Sequence, residues 1–186
     1  MLRRLWHNSP VRYALLAGFG VAGLLLVVGS VNTALEATNT IEFCISCHEM
    51  RGNYEEYKKT VHYSNRTGVR AECSDCHVPK QNWFSEMRRK IAAAKDVWAE
   101  LAGSVDTKEK FEARRLEMAK REWARMKESN SSGCRNCHSF ASMNLDAQDK
   151  LAKKKHAQAE EEGKTCIDCH KGIAHELPKI EAGKDD

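Results

Sequence analysis

No cysteine in this 186-residue chain stands outside a single repeated pattern. All eight fall in four copies of Cys-x-x-Cys-His, at residues 44–48, 73–77, 134–138 and 166–170, so no thiol is left for a disulfide framework. Aromatic residues are scarce at 7%, and hydrophobic residues reach 41% against 30% charged. Once the hydrophobic N-terminus is set aside, that is too little apolar side chain for an ordinary core. The formal charge of +4 points to no partner class, because the cofactor argued below adds ionisable groups that the count omits.

The repeated motif reads as covalent c-type haem. Two thiols at this spacing reach the two vinyl groups of one porphyrin, and the imidazole that follows turns under the ring to bind iron. Zinc also uses paired Cys-x-x-Cys but has no need of a histidine directly after the second Cys in every copy. The thioether positions are Cys44 and Cys47, Cys73 and Cys76, Cys134 and Cys137, and Cys166 and Cys169, with His48, His77, His138 and His170 as proximal ligands. Four haems would supply much of the missing core, and each brings two propionates.

Residues 13–31 carry no formal charge and would span about 28 Å as a helix, close to the thickness of a bilayer's hydrocarbon core. Arg3, Arg4 and Arg12 precede this segment and Glu36 and Glu42 follow it, which places residues 1–12 in the cytoplasm and residues 32–186 in the periplasm of a bacterium. A cleaved signal peptide has an apolar region of roughly 7–15 residues and an Ala-x-Ala-like site, neither of which fits, so a retained anchor in the inner membrane is expected.

The motifs fall into two pairs: their first cysteines lie 29 and 32 residues apart within a pair, with 61 residues from Cys73 to Cys134. This spacing suggests two dihaem units, 40–80 and 130–178, around a helical insert at 82–128. His62 and His156 precede Cys73 and Cys166 by eleven and ten residues, and His175 follows His170 by five. These three are the candidate sixth ligands, since His7, the remaining histidine, lies on the cytoplasmic side. Three distal histidines for four haems leave one iron without a histidine on one face. The first haem is the expected odd one, because Cys44 lies thirteen residues past Val31 and Met50 lies two past His48. So close to the motif, Met50 stays on the proximal side, where it either replaces His48 or merely packs.

Between the second and third motifs, Phe84, Met87, Ile91, Ala94, Trp98 and Leu101 recur at helical spacing, with Gly103 as a stop. A second helix is expected from near Asp106, with Glu109 placed as in a capping box, ending at 129–133. The tail 181–186 is expected to be disordered. The fold class is therefore mostly α: one N-terminal transmembrane helix and a small periplasmic multihaem cytochrome c domain built from two dihaem repeats.

The stretches EFCISCHEMR (42–51), VHYSNRTGVRAECSDCHVP (61–79), FEARRLEMAKREWARMK (111–127) and TCIDCHKGIAHELP (165–178) resemble the NapC/NirT family of membrane-bound tetrahaem quinol dehydrogenases, and most of all its branch that feeds periplasmic nitrate reductase. The resemblance covers nearly the whole chain. It implies that menaquinol or ubiquinol in the bilayer is oxidised at the first haem and that a periplasmic reductase takes the electrons; nucleic acid is not among the expected partners. It also implies Met50 as a ligand of the first haem in place of His48, and Lys90 and Asp96 in a quinol pocket. A carboxylate there accepts a proton and a lysine hydrogen-bonds the quinol oxygen. At one position the chain departs from the pattern: Lys80 stands where several family members have histidine, and it is not expected to bind iron.

Overall fold

A computed structural model describes residues 9–179, and among these it contains helices and turns but no strand. Arg3, Arg4, His7 and the tail 181–186 lie outside the described residues. The chain divides into two compact units, the first ending at Thr38 and the second beginning at Asn39.

The first unit is helix α1, Ser9–Ala37, 29 residues long. It outruns the uncharged segment at both ends, because Pro10 is tolerated in a first helical turn and no breaker follows Gly29. The hydroxyl of Thr33 donates to the Gly29 carbonyl at 2.9 Å and that of Thr38 to Ala34 at 2.8 Å, which keeps these polar groups satisfied within the helix. The span Pro10–Ala37 is long and apolar enough to cross a membrane.

The second unit strings short helices through the motifs and two long ones between them. In order these are α2 (Ile41–Cys44), α3 (Glu49–Tyr57), α4 (Cys73–His77), α5 (Trp83–Leu101), α6 (Lys108–Glu128), α7 (Ser132–Arg135), α8 (Lys150–Glu161) and α9 (Cys166–Cys169). Single 3-10 turns at Phe140–Ser142 and Leu145–Ala147 lead into α8. Each motif thus opens on one helical turn or ends in one, which holds its two thiols on one side of the chain.

The long helices start and stop where side chains can satisfy their free backbone groups. Asn82 caps α5, accepting from Ser85 N at 2.9 Å, and Gly103 ends it in the left-handed region at φ +69°. The cap of α6 is Thr107 rather than Asp106: its extended backbone lets its hydroxyl accept from Lys110 N at 3.3 Å. Asp106 is used differently, since its carboxylate takes Lys110 Nζ at 2.7 Å.

Little of the second unit is buried by protein alone. Among its described apolar residues only Ile41, Tyr57 and Ile167 are buried, while Phe84, Ile91, Trp98 and Leu101 along α5 are 68–76% exposed. The helical spacing read from the sequence is present, but no protein element covers that stripe. A domain of this length with three buried apolar residues fits a fold in which a large prosthetic group forms much of the interior.

Candidate haem centres

The four motifs contact one another in sequence order. The thiols of Cys44 and Cys73 lie side by side, and α2 packs on α4. Helix α4 in turn packs on α7, so tightly that a Cβ on Gly133 would stand 2.7 Å from the Asp75 carbonyl oxygen. Only glycine fits there. The Cys134 and Cys166 thiols are again neighbours, and the buried Ser131 hydroxyl accepts from Ile167 N at 3.1 Å, tying the third motif to the fourth.

Three of the four motif histidines face a second imidazole. His77 and His175 have ring centroids 6.2 Å apart, His138 and His62 are also 6.2 Å apart, and His170 and His156 are 5.9 Å apart. Two imidazoles bound to opposite faces of one transition metal, each through a nitrogen about 2 Å away, have centroids roughly 6 Å apart. The donor set therefore fits an iron between the members of each pair. The spare histidines do not all follow the sequence repeat: His156 faces the motif just after it, whereas His62 bypasses His77 and faces His138 in the third motif.

Each distal histidine has its own support. The Tyr57 hydroxyl reaches the carbonyls of His62, at 3.0 Å, and of Ala71, stapling the two ends of the loop that carries His62. Tyr54 and Tyr63 pack edge-on at 6.1 Å and Tyr63 meets Tyr57 at 5.5 Å, closing that staple with aromatic contacts. His156 Nδ1 meets Gln148 Oε1 at 2.6 Å. Beside His175, Arg115 Nη1 donates to Glu56 Oε1 at 2.8 Å and Arg115 Nη2 to the Glu176 carbonyl at 2.9 Å, while Glu176 N donates to Glu56 at 2.9 Å. Burial and the adjoining His77 push His175 below its ordinary pKa, favouring the neutral imidazole that a metal ligand must present.

Among the motif histidines, His77 shows the most complete outer support. Its Nδ1 meets Glu122 Oε1 at 2.8 Å, and Arg89 Nε donates to its carbonyl at 3.1 Å. Burial alone would raise Glu122, but hydrogen bonds from Arg125 and His77 hold its carboxyl at about 2. A carboxylate on one imidazole nitrogen fixes the ring and leaves the other for metal.

His48 is arranged otherwise. Its Nδ1 lies 2.6 Å from Glu49 and 3.8 Å from Glu100, and its Nε2 lies 2.9 Å from the Asp106 carbonyl. Both ring nitrogens are engaged, and among the described residues no second imidazole stands opposite. Met50, in the first turn of α3, is 38% exposed. Lys90 comes within electrostatic reach of Cys44, and burial lowers its pKa. Asp96 pairs instead with Arg121 of α6 at 3.2 Å. Lys80 Nζ is held by Asp75 at 2.5 Å.

Residues 7–180 match the model of the NapC/NirT cytochrome c family, N-terminal region. The chain belongs to this family. It is 55% identical to the denitrification system component NirT of Stutzerimonas stutzeri over 94% of this chain and 88% of that one. It is 52% identical to the cytochrome c-type protein NapC of Escherichia coli K12, over 97% and 92%. It is also 44% identical to the cytochrome c-type protein TorC of Escherichia coli K12, over 98% of this chain but 48% of that longer protein. Membership brings covalent haem c, iron binding, electron transport and membrane anchoring, and the tetrahaem cytochromes of the NapC/NirT family are electron-transfer partners of periplasmic reductases.

Several groups that shape the site in this family member have no signature in the linear sequence. Glu122, Gln148, Glu56 and Ser131 act across gaps of many residues and look like ordinary surface polar residues. Only Gly133, set directly before Cys134, offered a visible signal of close backbone approach.

Proposed function

We propose that this chain oxidises membrane quinol at its first motif and hands the electrons to a periplasmic reductase, foremost the nitrate reductase. The supporting observation is the division of the motif histidines: His77, His138 and His170 each face a distal imidazole, and His48 does not. In this reading His77 with His175, His138 with His62, and His170 with His156 would each hold one haem iron, and Met50 would serve the first centre because both nitrogens of His48 are taken.

Four haems, once attached, supply reversible one-electron exchange at iron. The residues do the rest. They set the attachment sites in the order one, two, three, four, so that an entry at the first is matched by an exit at the fourth. Lys90 would hydrogen-bond the quinol oxygen, and Asp96, freed from its ion pair with Arg121 when quinol binds, would accept one of the two protons that leave with the two electrons, solvent taking the other. The anchor is read as crossing the inner membrane with the N-terminus cytoplasmic, which sets the haem domain in the periplasm, and the two halves of that domain as dihaem units. Motifs two and four support that division, since both open on a reciprocal capping box, Glu72 with Asp75 and Thr165 with Asp168.

Near-infrared magnetic circular dichroism of the detergent-purified holoprotein should show three bis-histidine irons and one with a methionine ligand. A quinol analogue should reduce it, and slow reduction that Asp96→Asn leaves unchanged would overturn the proposal. The ion pair between Asp96 and Arg121 favours a second reading, a passive carrier fed by another membrane complex. That reading requires four six-coordinate, low-spin irons and no response to quinol.

A further inference from the structure

We infer that the outward face of α8, together with the lysines flanking the fourth motif, is the docking surface for an acidic redox protein. The inference rests on the relay order proposed above, which makes the fourth motif the exit. His156, its ring centroid 5.9 Å from that of His170, places α8 beside that motif. At about 100° per residue, Lys150, Lys154, Leu151 and Lys155 fall on one arc of the helix, opposite His156. All four are exposed. Lys153, off that arc, is occupied by Asp146.

The other side of the fourth motif is also basic. Lys171 Nζ stands 4.8 Å over the Trp123 ring, and Lys127 pairs with Asp168 at 2.8 Å, inside the motif. These side chains rim a groove floored by Trp123 and Ile167. The first motif has the reverse character, with Glu49, Glu100 and Asp106 around His48. Three lysines against one carboxylate, Glu161, on the outward arc of α8 leave that face net positive, whatever the net charge of the holoprotein. A local field of this kind steers an oppositely charged partner and raises its association rate.

A protein surface fits better than a lipid one. Helices that lie in a bilayer interface bury a broad apolar face, and α8 has a single large apolar side chain, Leu151, on its outward arc. One exposed leucine ringed by lysines suits the small apolar centre and charged rim of a transient complex. In that complex one electron leaves the chain and reduces the oxidised partner, with no bond made or broken.

The test is stopped-flow reoxidation of the dithionite-reduced, full-length holoprotein by the purified periplasmic nitrate reductase complex. In Lys150→Glu/Lys154→Glu/Lys155→Glu, the second-order rate at low salt should fall by about tenfold or more and its salt dependence should flatten. A control of equal charge change, Arg66→Glu/Lys108→Glu/Arg114→Glu, should leave both unchanged. Leu151→Ala should slow transfer by a smaller factor. An α8 variant that transfers at the control rate, or a control that loses as much, overturns the inference. So does wild-type binding to phosphatidylglycerol vesicles that the α8 variant loses while keeping its transfer rate. Reduction by a quinol analogue, measured on the same preparations, reports on the entry reading separately and should not respond to α8. Should the reductase fail to reoxidise even the wild type, that partner is wrong; the same losses are then expected with oxidised plastocyanin, an acidic redox protein, and their absence overturns the inference.

Discussion

The first and fourth motifs share one sequence pattern and differ in everything around it. At the fourth, His170 faces His156 and three lysines stand on the outer arc of α8. At the first, His48 is held by Glu49 and the Asp106 carbonyl, no second imidazole stands opposite among the described residues, and the carboxylates of Glu49 and Glu100 adjoin the ring. On the proposed reading, identical attachment chemistry yields two kinds of centre: one with an imidazole for each face of its iron, the other with its own histidine held by protein groups. An electron path acquires direction from such a difference, since an incompletely ligated end can meet a small membrane substrate and a closed, charged end can meet a protein.

The contrast breaks most sharply if the ligands are removed. His156→Leu should convert the fourth centre to a five-coordinate, high-spin iron and shift its potential by on the order of 0.1 V, a fraction of the roughly 0.8 V that axial ligands command; redox-poised spectra would read both. His48→Ala should leave the ligand bands of the first centre in place, whereas Met50→Ala should abolish them and slow reduction by a quinol analogue by about tenfold or more. If His48→Ala alone removes those bands, the two ends are alike and the comparison fails.

Smaller effects sharpen it. Glu122→Gln removes the carboxylate that orients His77, and outer-shell losses of this kind cost about 10–100-fold in metal affinity or activity; earlier loss of the low-spin spectrum of the second centre as mild denaturant is added would report it. Lys80→Gln should leave all four spectra unchanged, because its ammonium is committed to Asp75. Gly133→Ala forces a Cβ against the Asp75 carbonyl and should destabilise the fold by about 1–3 kcal/mol, read as a lower thermal midpoint of the holoprotein.

Much of this architecture is legible in the chain. The uncharged run within α1, the helical spacing in α5 and α6, and the stop at Gly103 all follow from local patterns that the backbone obeys. The cap of α6 moved from Asp106 to Thr107, since two adjacent residues can each cap and only the backbone decides which is extended. The histidines outside the motifs could be counted, and among the described residues His48 is the motif histidine with no second imidazole facing it. The pairing itself could not be read. His62 and His156 occupy equivalent places ahead of their motifs, yet one faces the adjacent motif and the other a motif beyond. His77 finds its imidazole near the C-terminus, held there by Glu56 and Arg115.

The sequence by itself determined the number of haem-attachment motifs, their covalent chemistry, the apolar anchor helix and the count of eight histidines, four inside the motifs and four outside. These follow from motif spacing, apolar run length and counting, which need no knowledge of what lies near what. The tertiary structure decided which imidazoles meet, in what order the motifs touch, and why His48 stands apart. Those depend on contacts between residues far apart in the chain, and a packed interior, not local propensity, selects among them.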